Sequence, residues 1–327
     1  MLRYILKRLM YLVFVFFILS IIMFGIFKMV PGDPAKMMID PELASKDPAK
    51  YQAAYEQAQK ELGLDKPVYV QYAIWITKML TGDFGYSSQY RMPVVNVIKA
   101  PMVATVKMNI INLILVFAIT IPLGITTAVR KNSIYDNMVQ IVTVVGVSLP
   151  MFIIALIGIY FFCVKIPFFP ISGMSTPGAN YTGFAKVLDE LKHMALPVIV
   201  MTLASLASIT RYVRGAMIEV LRMDFIRTAR AKGLREKVVI YSHAFRNALI
   251  PVVTVLTWWF VGIFGGSIVI EGTFLYNGMG QVMITSLRQL DFGVVLTMNM
   301  FYVLLSLVGN LVMDLSYMLV DPRVKLS

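Results

Sequence analysis

Charge is scarce in this chain. Of 327 residues only 15% are Asp, Glu, Lys or Arg, against roughly 25% in an average soluble domain, while 58% are hydrophobic. That excess is too large to bury in one core, so lipid must cover part of it. Cysteine is nearly missing: Cys163 alone excludes an internal disulfide and any multi-thiolate metal site, and its place in an apolar run makes it a buried, inert thiol. His193 and His243 stand far apart with no second ligand at i+4, so neither belongs to a metal motif. The phosphate-cradling G-x-x-x-x-G-K-[ST], the G-x-S-x-G elbow and H-E-x-x-H are all absent. These gaps leave the chain without a basis for enzymatic chemistry.

What is abundant is apolar sequence in long runs. A hydrocarbon core about 30 Å thick takes roughly 20 helical residues. Six runs qualify or come close: Leu9–Val30, Met108–Val129, Met138–Val164, Ala195–Thr210, Leu249–Ile270 and Gly293–Val320. The first is too long for the 7–15 apolar residues of a signal peptide and leads into Pro31-Gly32-Asp33-Pro34, so it reads as a retained span. The expected fold is an all-α integral membrane protein with six spans.

Positive charge orients the spans. Arg3, Lys7 and Arg8 precede the first; Arg130 and Lys131 sit in one turn; segment 211–248 carries nine Lys/Arg against three Asp/Glu, a net of +6; the chain ends with Arg323 and Lys325. These alternate segments predict both termini in the cytoplasm. The formal +12 of the whole chain thus borders apolar runs, as an anionic leaflet requires, and does not form a nucleic-acid surface.

The expected organisation is an N-terminal span (1–30), an extracytoplasmic insertion (31–101), a five-helix core (102–320) holding the cytoplasmic loop 211–248, and a tail (321–327). The insertion carries eight Lys/Arg and eight Asp/Glu, a net of zero. It reads as folded, with a helix over Lys50–Leu62 stopped by Gly63 and another through Tyr72, Trp75, Ile76 and Met79 ended at Gly82-Asp83. Segment 165–194 reads as a neutral outer loop. Lys107, Asn109 and Asn112 sit at the start of the second span; Lys107 and Asp314 are expected to snorkel to opposite faces, while Asn299 and Asn310 hydrogen-bond neighbouring helices. Gly124, Gly146 with Pro150, and Gly262, Gly265 and Gly266 punctuate spans, through close helix packing or local unwinding.

The most informative stretch is Asp224-Phe225-Ile226-Arg227-Thr228-Ala229-Arg230-Ala231-Lys232-Gly233-Leu234. Asp224 is a suitable N-cap and Gly233 a suitable C′ residue, so 225–232 reads as a two-turn helix. Ala229 and Ala231 would admit a close surface, Phe225 and Ile226 would anchor it, and Arg227, Arg230 and Lys232 surround them, a form suited to a partner's groove.

In order as well as composition, Asp224–Leu234 followed by His243-Ala-Phe-Arg246-Asn247-Ala-Leu-Ile250-Pro251 resembles the coupling loop of ATP-binding-cassette importer permeases, and in particular the B-type subunits of oligopeptide and dipeptide permeases. Arg227 and Thr228 replace the Glu and first Ala of the general Glu-Ala-Ala pattern. The likeness extends over Pro31–Pro34, Leu62–Pro67, Gly82–Gly85 with Ser87, then Glu271, Phe274, Gly278, Gly280, Asp291 and the terminal Asp321-Pro322-Arg323. Asn277 stands where a proline is common, and Lys107 where an acidic or apolar residue is usual.

The resemblance implies the type I importer fold and half of a translocation path, completed by a second, homologous permease chain. It implies two ATPase subunits that hold ATP and Mg, with no cofactor in this chain, and an extracytoplasmic binding protein that delivers cargo. It implies coupling through Asp224–Leu234, and an outer gate is read in the loop holding Glu271, Phe274, Gly278, Gly280 and Asp291. Peptide is the first expectation for cargo, with oligosaccharide or nickel complexes as alternatives. A freestanding secondary carrier is the runner-up, but no inverted repeat with paired broken helices is evident.

Overall fold

The computed structural model describes residues 2–30, 33, 35–36, 39, 41–249 and 259–320. Pro31, Gly32 and Pro34, residues 250–258 of the predicted fifth span, with Ile250 and Pro251 among them, and the tail from Asp321 lie outside the described residues. The chain divides into two compact units, residues 1–101 with 282–311 and residues 102–281 with 312–327.

The first unit opens with α1 (Leu2–Met29), whose exposed Phe14, Ile18, Ile21 and Ile22 form a lipid-ready face. The predicted insertion is folded, through α2 (Pro41–Lys46), α3 (Pro48–Leu62) and α4 (Val68–Leu80). Asp47 caps α3 by accepting from Lys50 N at 3.1 Å, and Gly63 ends it at φ +64°, a left-handed conformation that glycine adopts without a Cβ penalty. Strands β1 (Tyr86–Ser87) and β2 (Met92–Pro93) pair antiparallel, Tyr86 opposite Pro93. Phe16, Ile76, Met79, Leu296 and Met300 form this unit's core. Tyr72 serves it twice: its hydroxyl meets Ser20 Oγ at 2.7 Å and its ring lies edge-on to Phe24.

Helix α5 (Val94–Val129) begins well before the predicted Met108, because Val94–Val97 are already helix-compatible and buried at Val94 and Val97. In the second unit it is followed by α6 (Ile134–Ser148) and α7 (Met151–Ile159), which continues as a π-helical turn to Lys165. The predicted third span is bent by 98° between α6 and α7. Pro150 accounts for the bend: it has no N–H to donate and pushes Leu149 out of the helical region, to φ −84°, ψ 126°.

Helix α8 (Gly183–Leu221) corrects a boundary, since residues 183–194 of the predicted outer loop are helical and continuous with the fourth span. Polar residues there line a helix surface, and polarity alone was a poor marker of loop. The predicted fifth span is not continuous either. Residues 259–262 are helical, 263–267 are not, and α11 (Ile268–Thr273) follows α9 (Asp224–Ala231) and α10 (Glu236–Val238 with a π-helical continuation to Phe245). The chain closes with α12 (Met279–Arg288) and α13 (Phe292–Val320). Among the described residues, four helices are long and apolar enough to cross a bilayer, and the bent pair makes a fifth.

Two apolar clusters hold the second unit, one around Val116, Val213, Met217 and Val239, the other around Met108, Leu196, Val200 and Phe274. Gly124 permits contact between α5 and α8, since a Cβ would stand 2.6 Å from Val213 Cβ. Gly146 meets nothing within 4 Å, so close packing does not explain it. Lys107 pairs with Glu190 at 3.3 Å instead of standing alone. Cys163 is buried, as expected, with Sγ 3.5 Å from Pro170 O.

Candidate functional site

Helix α9 runs from Asp224 to Ala231, one residue earlier than expected at each end. Met223, extended at φ −71°, ψ 149°, takes the cap position and offers no side-chain hydrogen bond. Asp224 is therefore inside the first turn, where its carboxylate faces the positive helix end and stands 3.5 Å from Arg227. Gly233, at φ +74°, closes the helix: its N–H donates to Arg230 O at 2.9 Å and Leu234 N to Ala229 O at 3.4 Å. Arg230 grips Glu236 with two hydrogen bonds of 2.7 and 3.2 Å, tying α9 to α10 (Glu236–Val238 and its π-helical continuation to Phe245). That guanidinium holds the Glu236 carboxyl below its ordinary range.

The two faces of α9 differ. Ile226 is fully buried and Ala229 nearly so, in a cluster with Met217, Val220, Val239, Ile240 and Ala244. Ile226 and Ala229 thus fasten the helix to its own protein, correcting the expectation that they meet a partner. Ala231 remains exposed, as do Asp224, Phe225, Arg227, Thr228, Arg230, Lys232 and Leu234. An apolar inner edge with a cationic outer face carrying one aromatic ring is a shape that can be docked without unfolding anything.

A second constellation surrounds Glu271 on α11. This carboxylate is fully buried and accepts from Thr105 Oγ1 at 2.9 Å, Gln281 N at 3.1 Å and Ser267 N at 3.3 Å. Thr105 Oγ1 accepts in turn from Met279 N at 2.8 Å. Burial pushes the Glu271 carboxyl above its ordinary value, against the donors from Gln281, Thr105, Gly280 and Ser267. Gly278 and Gly280 belong to the same knot, where the want of space and not a positive φ requires glycine. A Cβ on Gly278 would stand 2.6 Å from Glu271 Cδ, and one on Gly280 would stand 2.6 Å from Ile268 N. Phe274 is buried beside them, and its carbonyl accepts from Gly173 N at 2.9 Å. Burial also pushes the neighbouring Tyr276 hydroxyl up to about 12. The broken segment before α11 is held by Asn109, whose Nδ2 donates to Ile263 O at 2.8 Å and Gly265 O at 3.0 Å.

Asp291 is not part of this knot. It belongs to the first unit, where it is buried and accepts from Ser87 Oγ and from Gln89 N at 3.3 Å.

Comparison with known proteins accounts for both units. Residues 120–326 match the family described as the binding-protein-dependent transport system inner membrane component, and residues 1–109 its N-terminal counterpart. The chain belongs to this family. It is 36% identical over 326 residues to the oligopeptide transport system permease protein AppB of Bacillus subtilis, covering 99% of this chain and 100% of that one. It is 32% identical to the dipeptide transport system permease protein DppB of Alkalihalophilus pseudofirmus, covering 99% and 100%. Against the glutathione transport system permease protein GsiC of Escherichia coli K12 the identity is 33%, with 99% of each covered. The MetNI methionine ABC transporter, solved in inward-facing conformations, shares the fold at a TM-score of 0.50 and 18% identity, over 67% of this chain and 96% of that chain.

This family member is a multi-pass membrane permease. Thr105 and the partners of Asn109 escaped sequence reasoning: a threonine and an asparagine in an apolar helix give no local sign of the distant carboxylate or carbonyls they serve. A pairing of Asp136 with Arg214 was equally hidden. Arg214 donates to the buried Asp136 through Nε and Nη2, both at 2.7 Å, joining α6 to α8.

Proposed function

We propose that this chain forms half of the translocation path of an ATP-driven importer of oligopeptides or dipeptides. The observation that carries the reading is full-length similarity, within one family, to permeases of oligopeptide, dipeptide and glutathione transport systems. A second, homologous permease completes the path, two ATPase subunits hold ATP and Mg, and an extracytoplasmic binding protein delivers cargo. Both termini lie in the cytoplasm, which puts 31–101 outside and α9 inside, in line with the +6 net charge of 211–248. The deciding measurement is uptake of labelled di- and oligopeptides, oligosaccharides and nickel by the reconstituted complex. ATP-dependent accumulation of peptide alone is expected, and accumulation of only sugar or nickel would overturn the cargo.

Within that assembly α9 couples ATPase closure to the spans. A partner can shift the permease between states only through contacts whose energy differs between them. The exposed Phe225 and Arg227 offer such contacts, while buried Ile226 and Ala229 pass the displacement to α8 and α10. Substitution of Ala229 would injure the core, so the test belongs on the outer face. Phe225→Ser with Arg227→Glu is expected to leave insertion intact and lower uptake at least tenfold, with loss of the ATPase subunits on purification or with hydrolysis uncoupled from uptake. Wild-type uptake by that variant would refute the coupling role. The Glu271–Gly280 knot takes part in the outer gate, as a joint that holds the segment after the broken fifth run.

A further inference from the structure

The first unit contains a cavity of about 390 Å³ that neither the coupling helix nor the Glu271 knot uses. Phe24, Phe27, Trp75, Phe292 and Leu296 give it an apolar wall. Two spans end there. Phe24 and Phe27 lie in the last two turns of the apolar stretch Ile5–Met29, and Phe292 opens the stretch Phe292–Leu315. The rings of Phe27 and Phe292 meet edge-on at 6.1 Å, so the two span ends are side by side. Each stretch, at about 1.5 Å per residue, is long enough to cross a hydrocarbon core about 30 Å thick. The cavity therefore stands at the boundary where acyl chains give way to head groups.

The charged residues on its lining, Lys28, Lys78, Glu61 and Asp83, are all exposed and so within reach of a ligand. Lys28 bends back along its own helix. Its Nζ lies 5.8 Å from the centroid of the Phe24 ring, and both residues line the cavity. Among the described residues no carboxylate pairs with Lys28 or Lys78. The two acids already hold donors: Glu61 accepts from Gln57 Nε2 at 2.9 Å, and Asp83 from Gly85 N at 3.0 Å. The unanswered group beside the apolar wall is thus an ammonium, which asks for an anionic oxygen. At a membrane boundary, an anionic oxygen joined to an apolar chain is the phosphodiester of a glycerophospholipid. Because the mouth carries both signs of charge, it suits a head group whose phosphate is balanced by its own cation.

We propose that this cavity takes an acyl chain of a zwitterionic glycerophospholipid, with the phosphate at Lys28 and the aromatic wall along the chain. Its volume is near the lower end of the roughly 300–1,000 Å³ of small-molecule pockets, so one chain enters and the other stays in the bilayer. Lys78 adds a second cation on the same lining.

Trp75 gives the site its own reporter, because the chain has three tryptophans and the other two are Trp258 and Trp259. The test uses the purified full-length permease in detergent, with Trp258→Phe and Trp259→Phe, so that all tryptophan emission comes from Trp75. The probe is phosphatidylcholine brominated on its acyl chains, compared with diacylglycerol carrying the same chains. Bromine quenches indole emission only near contact. The phospholipid is expected to quench saturably, at a half-saturating concentration at least fivefold below that of diacylglycerol. Lys28→Gln is expected to remove this difference and Lys28→Arg to keep it. Ser88→Phe narrows the cavity from its lining and should weaken phospholipid binding at least fivefold while the protein elutes as wild type. If it does not so elute, the two Lys28 variants decide. Quenching without saturation, equal half-saturation by the two probes, or undiminished phospholipid binding by Lys28→Gln or by a well-folded Ser88→Phe overturns the proposal. Glycerophosphocholine, the same head group without chains, is expected to leave the bound lipid in place. Displacement at equal concentration would assign the site to a soluble phosphodiester and overturn the lipid.

Discussion

Gly280 and Gly146 are the same residue type under opposite constraints. At Gly280 an added methyl would stand 2.6 Å from the Ile268 amide nitrogen and 2.7 Å from Ser267 C, both backbone atoms that cannot turn aside. Gly280→Ala is therefore expected to destabilise the permease by about 1–3 kcal/mol, as overpacking does. At Gly146, inside α6, a methyl meets nothing within 4 Å, and Gly146→Ala is expected to be neutral or to add about 0.5–1 kcal/mol. Thermal unfolding of the two variants in detergent checks the contrast; equal melting temperatures would mean that the α11–α12 contact is loose. Glu271 supplies a pH signature. Its carboxyl lies above its ordinary value of 4.5 in the folded protein, so the fold binds a proton more tightly than the unfolded chain does. The stability this contributes is complete below pH 4.5 and is lost as pH rises through the folded-state value. Wild type is expected to lose melting temperature over that rise, and Glu271→Gln to flatten the slope even if its overall stability is lower. An unchanged slope in the variant would assign the titration elsewhere.

Among elements, the joint between α6 and α8 is the one where a single charge matters most. Asp136 is 1% exposed and held by both guanidinium contacts of Arg214. Removing one member strands the other, at about 3–5 kcal/mol, whereas replacing both with apolar residues is often nearly neutral. Arg214→Met is expected to lower stability by that amount and Asp136→Leu with Arg214→Met to recover most of it, as read from unfolding midpoints. No recovery in the double variant would mean that the Asn132 N–H, which also donates to Asp136, carries the joint. Local signals made some elements legible in advance. Gly63 and Gly233 ended α3 and α9 where their sequence context pointed, since a left-handed residue is a local requirement. The helix of the insertion through Trp75 was equally readable from its periodicity. Elements whose limits depend on distant partners were not: α8 runs twelve residues beyond its apolar core into what composition marked as loop, and the break before α11 depends on Asn109, more than 150 residues away. The same applies to α9, whose existence was local but whose inward face was settled by Val239, Ile240 and Ala244.

Across the whole molecule, the helices meet lipid very unequally. Within its most apolar stretch α1 is 22% buried, while α8 is 61% buried. Helix α8, with 39 residues at about 1.5 Å each, is roughly 58 Å long, far more than a hydrocarbon core of about 30 Å. It also carries charged residues toward both ends, Lys186 and Glu190 near one and Arg211, Arg214 and Glu219 near the other. A helix that overshoots on both sides and is largely sheathed in protein has no edge to align with the lipid boundary. The mismatch between span and bilayer, which costs fractions of a kcal/mol per Å, acts only where a hydrophobic stretch ends in contact with lipid. Membrane thickness therefore has little purchase on α8 and a direct one on α1, so a thicker or thinner bilayer tilts α1 and leaves the long rod of α8 indifferent.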